Sequence, residues 1–527
     1  MQHSQIIAAR DVEAARRRQA GIDMLATLGR LQPQTSFPGL IRAAGATRAQ
    51  HIALIDGDRS YSYAQLFAAI DAAATALQLG GVGPGDAVAL LLDNSDRYVV
   101  WYFATLTLGA VAIPINTKLV EREIAHIVAD SQAMLAVVDD TYMALMQGIA
   151  RARPRPFEVM GSVLPPAGLT CRTPAPPPCL DRPAAVYYTS GTTGMPKGVV
   201  HTHRTFIAGC LQAPYAWQFP TANLVSLAVT PLFHIAAHTL FFPVLHGGGT
   251  LIIAGFKPAE VFELIERHKV TSFFGVPSIL LIMAQRAREI GLTLPGVEVV
   301  QFGAAPMPME KLGEVQALFP NAALLHGMGQ TESCGTLVTL PGTLALAKIG
   351  SVGIPLPATE VAIFDEQERP VPANAVGELV GRSPSVMIGY LNRPDASAET
   401  LKGGWLHTGD LGYLDEDGFL YLVDRKKDMI IRGGQNIYSN EVEQVLAGHP
   451  GLAEVAVVGQ PNPILGEEVC AFVVAKPDAQ TDAADVQAFC RPLLAAYKIP
   501  VAVHFLDVLP RNATGKVLKP ELRKMLG

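Results

Sequence analysis

A chain of 527 residues with 49% apolar side chains can bury large cores, and by ordinary domain size it holds about two to four structural units. Its 41 Lys and Arg against 47 Asp and Glu give a net charge of −6, which leaves nucleic acid no strongly basic surface to bind. The six cysteines (171, 179, 210, 334, 470 and 490) form no Cys-x-x-Cys and no pairing with His, so no zinc site is expected and the thiols read as reduced, in a cytoplasmic protein.

The opening Met-Gln-His-Ser-Gln has no basic stretch followed by an apolar one, so no signal peptide is expected. Arg16-Arg-Arg18 lies in a polar helical stretch and is expected on a solvated face. From Ser60 onward strand and helix signals alternate. Residues 65–79 have helical apolar spacing, 87–92 are a short apolar run, and 98–108 are helical again. The stretch 153–182 is rich in proline, notably Pro174-Ala-Pro-Pro-Pro178, and is expected to cross the surface without regular structure. Strands are expected at 184–188, 224–229, 250–254, 271–276 and 297–302, with helices at 259–269 and 278–290. The most apolar region, 240–256, is broken by Pro243, His246 and three consecutive glycines, so no membrane span is expected. Continuous apolar runs separated by helices argue an α/β fold, a parallel sheet covered on both faces.

Composition shifts near residue 425. Beyond Asp424-Arg-Lys-Lys-Asp428 a helix is expected at 439–447, strands at 454–459 and 469–475, a helix at 483–497 and a strand at 502–506. About 100 residues of mixed α and β suffice for a small separate domain. The expected organisation is a large N-terminal multi-layer α/β domain, 1–425, and a small C-terminal α+β domain, 426–527, with the charged segment as linker.

The stretch richest in chemistry is Tyr188-Thr-Ser-Gly-Thr-Thr-Gly-Met-Pro-Lys-Gly-Val-Val200. Its glycines (Gly191, Gly194, Gly198) let a loop fold tightly and aim backbone N–H groups at an anion. The hydroxyls of Thr189, Ser190, Thr192 and Thr193 donate further hydrogen bonds, and Lys197 is a compact positive charge for phosphate oxygens. The preceding strand places this loop at a strand's carboxyl end, where α/β sheets bind ligands. It is not a Walker A motif, because Pro196 stands where the second glycine belongs and Gly198 follows the lysine.

This run resembles the signature of the adenylate-forming superfamily, which includes acyl-CoA synthetases, luciferases and the adenylation domains of peptide synthetases. The resemblance extends from about Ser60 to the C-terminus. Gly303-Ala-Ala-Pro-Met-Pro308 resembles the loop whose backbone flanks the adenine, through Gly303, Ala304 and Ala305. His326-Gly-Met-Gly-Gln-Thr-Glu332 resembles the Tyr-Gly-x-Thr-Glu element. There the resemblance implies that Thr331 donates to the α-phosphate and that Glu332 holds Mg²⁺, with Thr189 as an indirect second contact. Met328, followed by Gly329, stands where the family places an aromatic ring against the adenine; a thioether can also cover a ring face.

Trp405-Leu-His-Thr-Gly-Asp410 matches the family's Thr-Gly-Asp element, which implies that Asp410 accepts from the ribose hydroxyls. Arg425 matches a second ribose and phosphate contact, Lys427 the hinge of the C-terminal domain, and Gln435 a position near the nucleotide. Pro510-Arg-Asn-Ala-Thr-Gly-Lys516 resembles the motif of the catalytic lysine, so Lys516 would bridge substrate carboxylate and α-phosphate. His234, in Pro231-Leu-Phe-His234, matches the segment flanking the acyl pocket and thiol entrance; a satisfied core histidine is the plainer reading. His201, His203 and His238 are read as structural.

The implied function is ATP- and Mg²⁺-dependent conversion of a hydrophobic carboxylic acid to acyl-adenylate, then transfer to coenzyme A. A ligase passing the acyl group to an amine or a carrier protein remains open. The expected partners are the acid, ATP and coenzyme A, with the enzyme a monomer or homodimer.

Overall fold

The computed structural model describes residues 3–154, 157–169, 178–189, 195–216, 223–305, 307, 311–345, 347–477, 479–511 and 517–526. Its contacts divide the chain into two compact units, 1–361 with 381–406, and 362–380 with 407–527. By these contacts the strands just before residue 425 group with the second unit, because they pair with strands from 360–382. The elements used below are helix α1 (His3–Gly29) and nine strands. They are β1 (Pro183–Thr189), β2 (Lys197–Thr202), β3 (Val299–Gly303), β4 (Ala323–Gln330), β5 (Gly335–Leu340), β6 (Ser351–Pro355), β7 (Gly389–Tyr390), β8 (Leu406–Leu414) and β9 (Leu420–Arg425).

The first unit contains two sheets. One runs β7, β2, β1, Val111–Pro114, Ala87–Leu91, Leu135–Val138, Glu158–Gly161. The other runs β6, β5, β4, β3, Ser272–Gly275, Val225–Ala228, Thr250–Ile253, Ile52–Asp56, Arg59–Ser62. Both are parallel through the middle and antiparallel at an end, where hairpins replace helical crossovers. The largest core takes Leu90, Ala112 and Ala184 from one sheet and Leu54, Leu251 and Leu325 from the other. Helix Asp96–Thr107 is buried nearly all round, from Tyr98 through Leu106, as a helix apolar on every side must be. Its N-terminus is capped by Ser95, whose hydroxyl accepts from the Tyr98 N–H.

Most sequence expectations fall within a few residues of the observed elements, and three are corrected. Arg17 is not on a solvated face: it is 3% exposed, and its Nη1 donates to Ile354 O at 2.8 Å and Pro355 O at 3.0 Å. Among its described residues the proline-rich stretch contains one short strand, Glu158–Gly161, paired in parallel with Leu135–Val138. The helix expected at 483–497 ends at Cys490: Arg491 still has helical backbone, but Pro492 offers no N–H to continue the last turn.

In the second unit a ribbon runs Glu360–Phe364, Gly377–Arg382, β8, β9. A separate sheet orders Gln435–Ile437, Ile430–Arg432, Gly466–Ala475, Leu452–Asn462, with Ala502–Phe505 parallel to Gly466–Ala475. Helices Ser439–Ala447 and Ala483–Cys490 pack Val442, Leu446 and Val486 against one face, and Leu522 of the last helix joins Val458 and Phe472 in a second cluster. Among the described residues, no helix is long and apolar enough to cross a membrane.

Candidate active site

In the first unit the site is built on the β1–β2 hairpin. The two strands are buried almost continuously, over Ala184–Tyr187 and Gly198–Thr202, and pair antiparallel in a register that sets Thr189 opposite Lys197. The two ends of the glycine- and hydroxyl-rich loop are therefore held side by side. Ser190, Gly191, Thr192, Thr193 and Gly194 lie outside the described residues. Gly198 has a packing reason: a Cβ there would lie 2.6 Å from Val186 Cγ1 and 3.0 Å from Tyr188 Cζ. A Ser or Thr after the lysine could not be accommodated without moving that wall.

Strand β4 brings the second segment. It ends at Gln330, and Thr331–Ser333 turn as a single 3₁₀ element before Cys334, which has φ 58°. Three contacts from elsewhere hold this turn. His201 Nε2, on β2, lies 2.8 Å from Thr331 O, so that nitrogen carries the proton and donates. The Met387 N–H donates to Glu332 O at 2.8 Å, and Tyr390 Oη donates to Glu332 Oε1 at 2.8 Å. Lys197 Nζ lies 5.6 Å from the centre of the Tyr390 ring. Hairpin and turn are thereby joined into one cluster of Thr189, Lys197, Thr331, Glu332 and Tyr390.

Burial at this cluster is graded by task. Thr331 is buried, whereas Glu332, Lys197 and Thr189 are half-buried, close enough to solvent to meet a soluble ligand. His201 is fully buried, and burial lowers its pKa to about 4, leaving the imidazole neutral at physiological pH. Its reading as structural holds, with the addition that it fixes the Thr331 carbonyl.

The third segment follows β3. Gly303 pairs with Gly327 of β4 so closely that a Cβ on Gly303 would meet Gly327 O at 2.2 Å. The next residue, Ala304, has φ 65°, a left-handed conformation unfavourable for alanine. Ala304 and Ala305 are exposed, so this strained turn presents backbone rather than side chains. Met328 is 6% exposed and stands opposite Val338 of β5, beside a bulge that ends at exposed Gly329.

His234 is half-buried, its Nδ1 accepts from the Ala236 N–H at 3.2 Å, and burial lowers its pKa. Asn94 fixes the chain beside it, accepting from the Leu232 N–H at 2.8 Å and donating to Thr230 O at 2.9 Å. The chain after it turns as a π-helical element, Ala237–Phe241, whose five residues are all buried. Such turns recur at functional positions.

In the second unit Asp410 and Arg425 are directly opposite on the β8–β9 ladder, and Arg425 Nε lies 2.6 Å from Asp410 Oδ1. Asp410 is 7% exposed, and its N–H donates to Thr408 Oγ1 at 3.1 Å. Lys427 lies in the turn between β9 and Ile430–Arg432, where Arg523 donates to its carbonyl at 3.3 Å. Burial lowers the Lys427 pKa, and neighbouring Arg425 and Arg523 act in the same direction. Gln435 is exposed on the hairpin that pairs it with Arg432. Lys516 lies outside the described residues.

Tyr390 and His201 are the contacts that sequence reasoning missed or undervalued. Tyr390 sits on a two-residue strand with no periodicity, and only three-dimensional pairing places it against Glu332.

The site carries no group of three or more His, Cys, Asp or Glu among the described residues. That excludes, for those residues, an all-protein metal cage, and it fits a hard cation held by one carboxylate together with phosphate oxygens. The exposed backbone of 303–305 and the Lys197 ammonium likewise suit a nucleotide.

Residues 41–391 match the AMP-binding enzyme family and 441–516 the AMP-binding enzyme C-terminal domain. A feruloyl-CoA synthase of Amycolatopsis sp. is 36% identical over 477 residues, covering 89% of this chain and 95% of that protein. The structure of o-succinylbenzoate CoA synthetase from Bacillus subtilis, in complex with its acyl-adenylate intermediate, superposes with a TM-score of 0.82 at 31% identity and covers 93% of this chain and 98% of that one. The same synthetase has been solved with ATP and a magnesium ion. The amide bond synthetase from Marinactinospora thermotolerans gives a TM-score of 0.83 at 29% identity, over 93% of this chain and 99% of that one. Family matches over most of its length, with 36% identity to a named relative, establish that the chain belongs to the AMP-binding enzyme family.

Proposed function

We propose that the chain activates a hydrophobic carboxylic acid with ATP and Mg²⁺, releasing pyrophosphate, and transfers the acyl group to coenzyme A with release of AMP. The observation that carries this reading is the joining of the Thr189–Lys197 hairpin to the Thr331–Glu332 turn through Tyr390 and His201. Phosphate-directed and cation-directed groups thus occupy one rigid cluster. The acyl groups named in the relatives, feruloyl and o-succinylbenzoyl, both contain an aromatic ring, which supports an acid whose body is at least partly apolar.

Joining a carboxylate to an α-phosphate brings two anions together, so the residues' work is mainly to offset charge and fix position. Lys197 and the loop before it hold the departing phosphates. Glu332 contributes the protein's carboxylate to Mg²⁺, with Thr189 as an indirect contact, and the cation supplies charge neutralisation. Thr331, its backbone fixed by His201, offers a hydroxyl to the α-phosphate. Lys516 bridges the two reacting anions. Asp410, oriented by Arg425, accepts from the ribose hydroxyls, and Gln435 approaches the nucleotide. The 303–305 backbone and Met328 flank the base. His234 and Phe233 form the wall of the acyl pocket. The domain assignment, 1–425 for binding and 426–527 as the moving part, belongs to this proposal. So does a cytoplasmic setting, supported by Cys179, Cys210, Cys334, Cys470 and Cys490 all being free thiols.

The second reading, transfer to an amine, is supported by the likeness to the amide bond synthetase. Acid-dependent exchange of pyrophosphate into ATP tests the first half-reaction common to both. Free thiol consumption with coenzyme A, against amide formation with amines, separates them. Exchange without any thiol consumption would favour the amide reading.

A further inference from the structure

Tyr390 is bound to the site from both sides. Its backbone pairs with Val199, and its N–H donates to Ser397 Oγ at 2.8 Å. Gly389 before it has φ 147°, and a Cβ there would lie 3.1 Å from Ser397 Oγ, so the approach of this short strand is closely constrained. The ring lies within cation–π range of Lys197, and the hydroxyl donates to Oε1 of Glu332. The hydrogen bond takes one lone-pair site of Oε1 and fixes the orientation of the carboxylate, so that Oε2 is the oxygen without that donor.

That asymmetry has consequences for a cation. Mg²⁺ demands near-ideal octahedral geometry and takes carboxylates through single oxygens, whereas Ca²⁺ accepts six to eight oxygens and often both oxygens of one carboxylate. We propose that Tyr390 is a positioning residue that makes Glu332 a one-oxygen ligand, and so biases the site toward Mg²⁺ over Ca²⁺. The inference rests on the reading of Glu332 as the carboxylate that holds the cation. It adds a determinant of cation selectivity outside the Thr331–Glu332 segment, and it explains why a tyrosine is anchored on a two-residue strand beside the phosphate-loop hairpin.

The test is calorimetric binding of ATP in saturating Mg²⁺ or Ca²⁺ to the full chain and to Y390F, E332Q and the double variant, with thermal melting as the check on folding. A hydrogen bond to a charged group is worth about tenfold in an equilibrium, so Y390F should raise Ca²⁺·ATP affinity relative to Mg²⁺·ATP by about that factor. The double variant should match E332Q. An unchanged Ca²⁺/Mg²⁺ ratio in folded Y390F overturns the tether while leaving Glu332's role intact. Undiminished Mg²⁺·ATP affinity in E332Q overturns the underlying reading as well. If Y390F does not fold, infrared carboxylate bands of the unsubstituted chain with Mg²⁺·ATP, assigned by difference from E332Q, decide: one-oxygen binding supports the tether and two-oxygen binding overturns it.

Discussion

In the proposed reaction Lys516 and Glu332 would act on the same electrostatic problem from opposite signs, and they should fail differently. In its proposed role Lys516 would be needed only while carboxylate and α-phosphate meet. K516A should therefore lower adenylation by on the order of 10²-fold or more, yet leave thioester formation from pre-made acyl-adenylate largely intact. Rapid-quench assays of the two half-reactions check this, and equal losses in both would contradict it. Met328 poses a packing question. At 6% exposure beside Val338 it has little spare room, so M328Y trades a gain in ring stacking of about 0.5–1.5 kcal/mol against overpacking of about 1–3 kcal/mol. The expected result is ATP binding unchanged or tighter by at most roughly tenfold, with a lower melting temperature; clearly weaker ATP binding would show a pocket shaped around the thioether. At this scale the sequence was legible where residue type itself carries chemistry, as in Lys197 or Glu332. It was illegible where a common residue acquires its role through a distant partner. Nothing local distinguishes Tyr390, and His201 reads as one more apolar-strand histidine until its Nε2 is found on Thr331 O.

At the scale of elements, helix α1 illustrates the same limit from the stability side. A triple-arginine run in a polar helix reads as solvated, but Arg17 is buried, with Glu13 at 2.8 Å and two β6 carbonyls as acceptors. R17M would remove donors from buried carbonyls and leave Glu13 only the longer pair with Arg16, at 3.5 Å. A loss of about 3–5 kcal/mol is expected for breaking such a pair, read as an earlier first thermal transition; a shift of under a degree would contradict the burial argument. Strand β2 and the helix after it carry a pH signature. His201 and His203 are fully buried and have pKa values lowered by that burial to about 4, from an ordinary 6.5. The folded state therefore resists protons that the unfolded chain takes up below pH 6.5, and stability falls as the pH drops from 6.5 toward 4. Each histidine contributes a slope of about 1.4 kcal/mol per pH unit in that window. Urea midpoints between pH 7 and 5 should show this steepness, and H201Q should reduce it by one proton's worth. Periodicity located most elements well, because long apolar runs leave few alternatives. It overran Cys490, where the apolar pattern continues but Pro492 cannot.

At the scale of the whole molecule, the proposal requires the C-terminal part to reorient between half-reactions about the turn at Lys427. Among the described residues no backbone hydrogen bond starts from the Lys427 N–H, so proline there removes none and acts by fixing one dihedral angle. K427P should damage one half-reaction much more than the other, whereas K427A should do little to either. Equal slowing of both by proline, or of neither, would mean that residue 427 is not the pivot. The central claim is the reaction class itself, and it is tested most directly by product analysis. The chain is incubated with ATP, Mg²⁺, coenzyme A and a panel of fatty and aromatic acids, and nucleotides and thioesters are quantified together. At least one hydrophobic acid should yield acyl-CoA, AMP and pyrophosphate in equal amounts. ADP and phosphate in their place, or no acid-dependent pyrophosphate with any member of the panel, would contradict it.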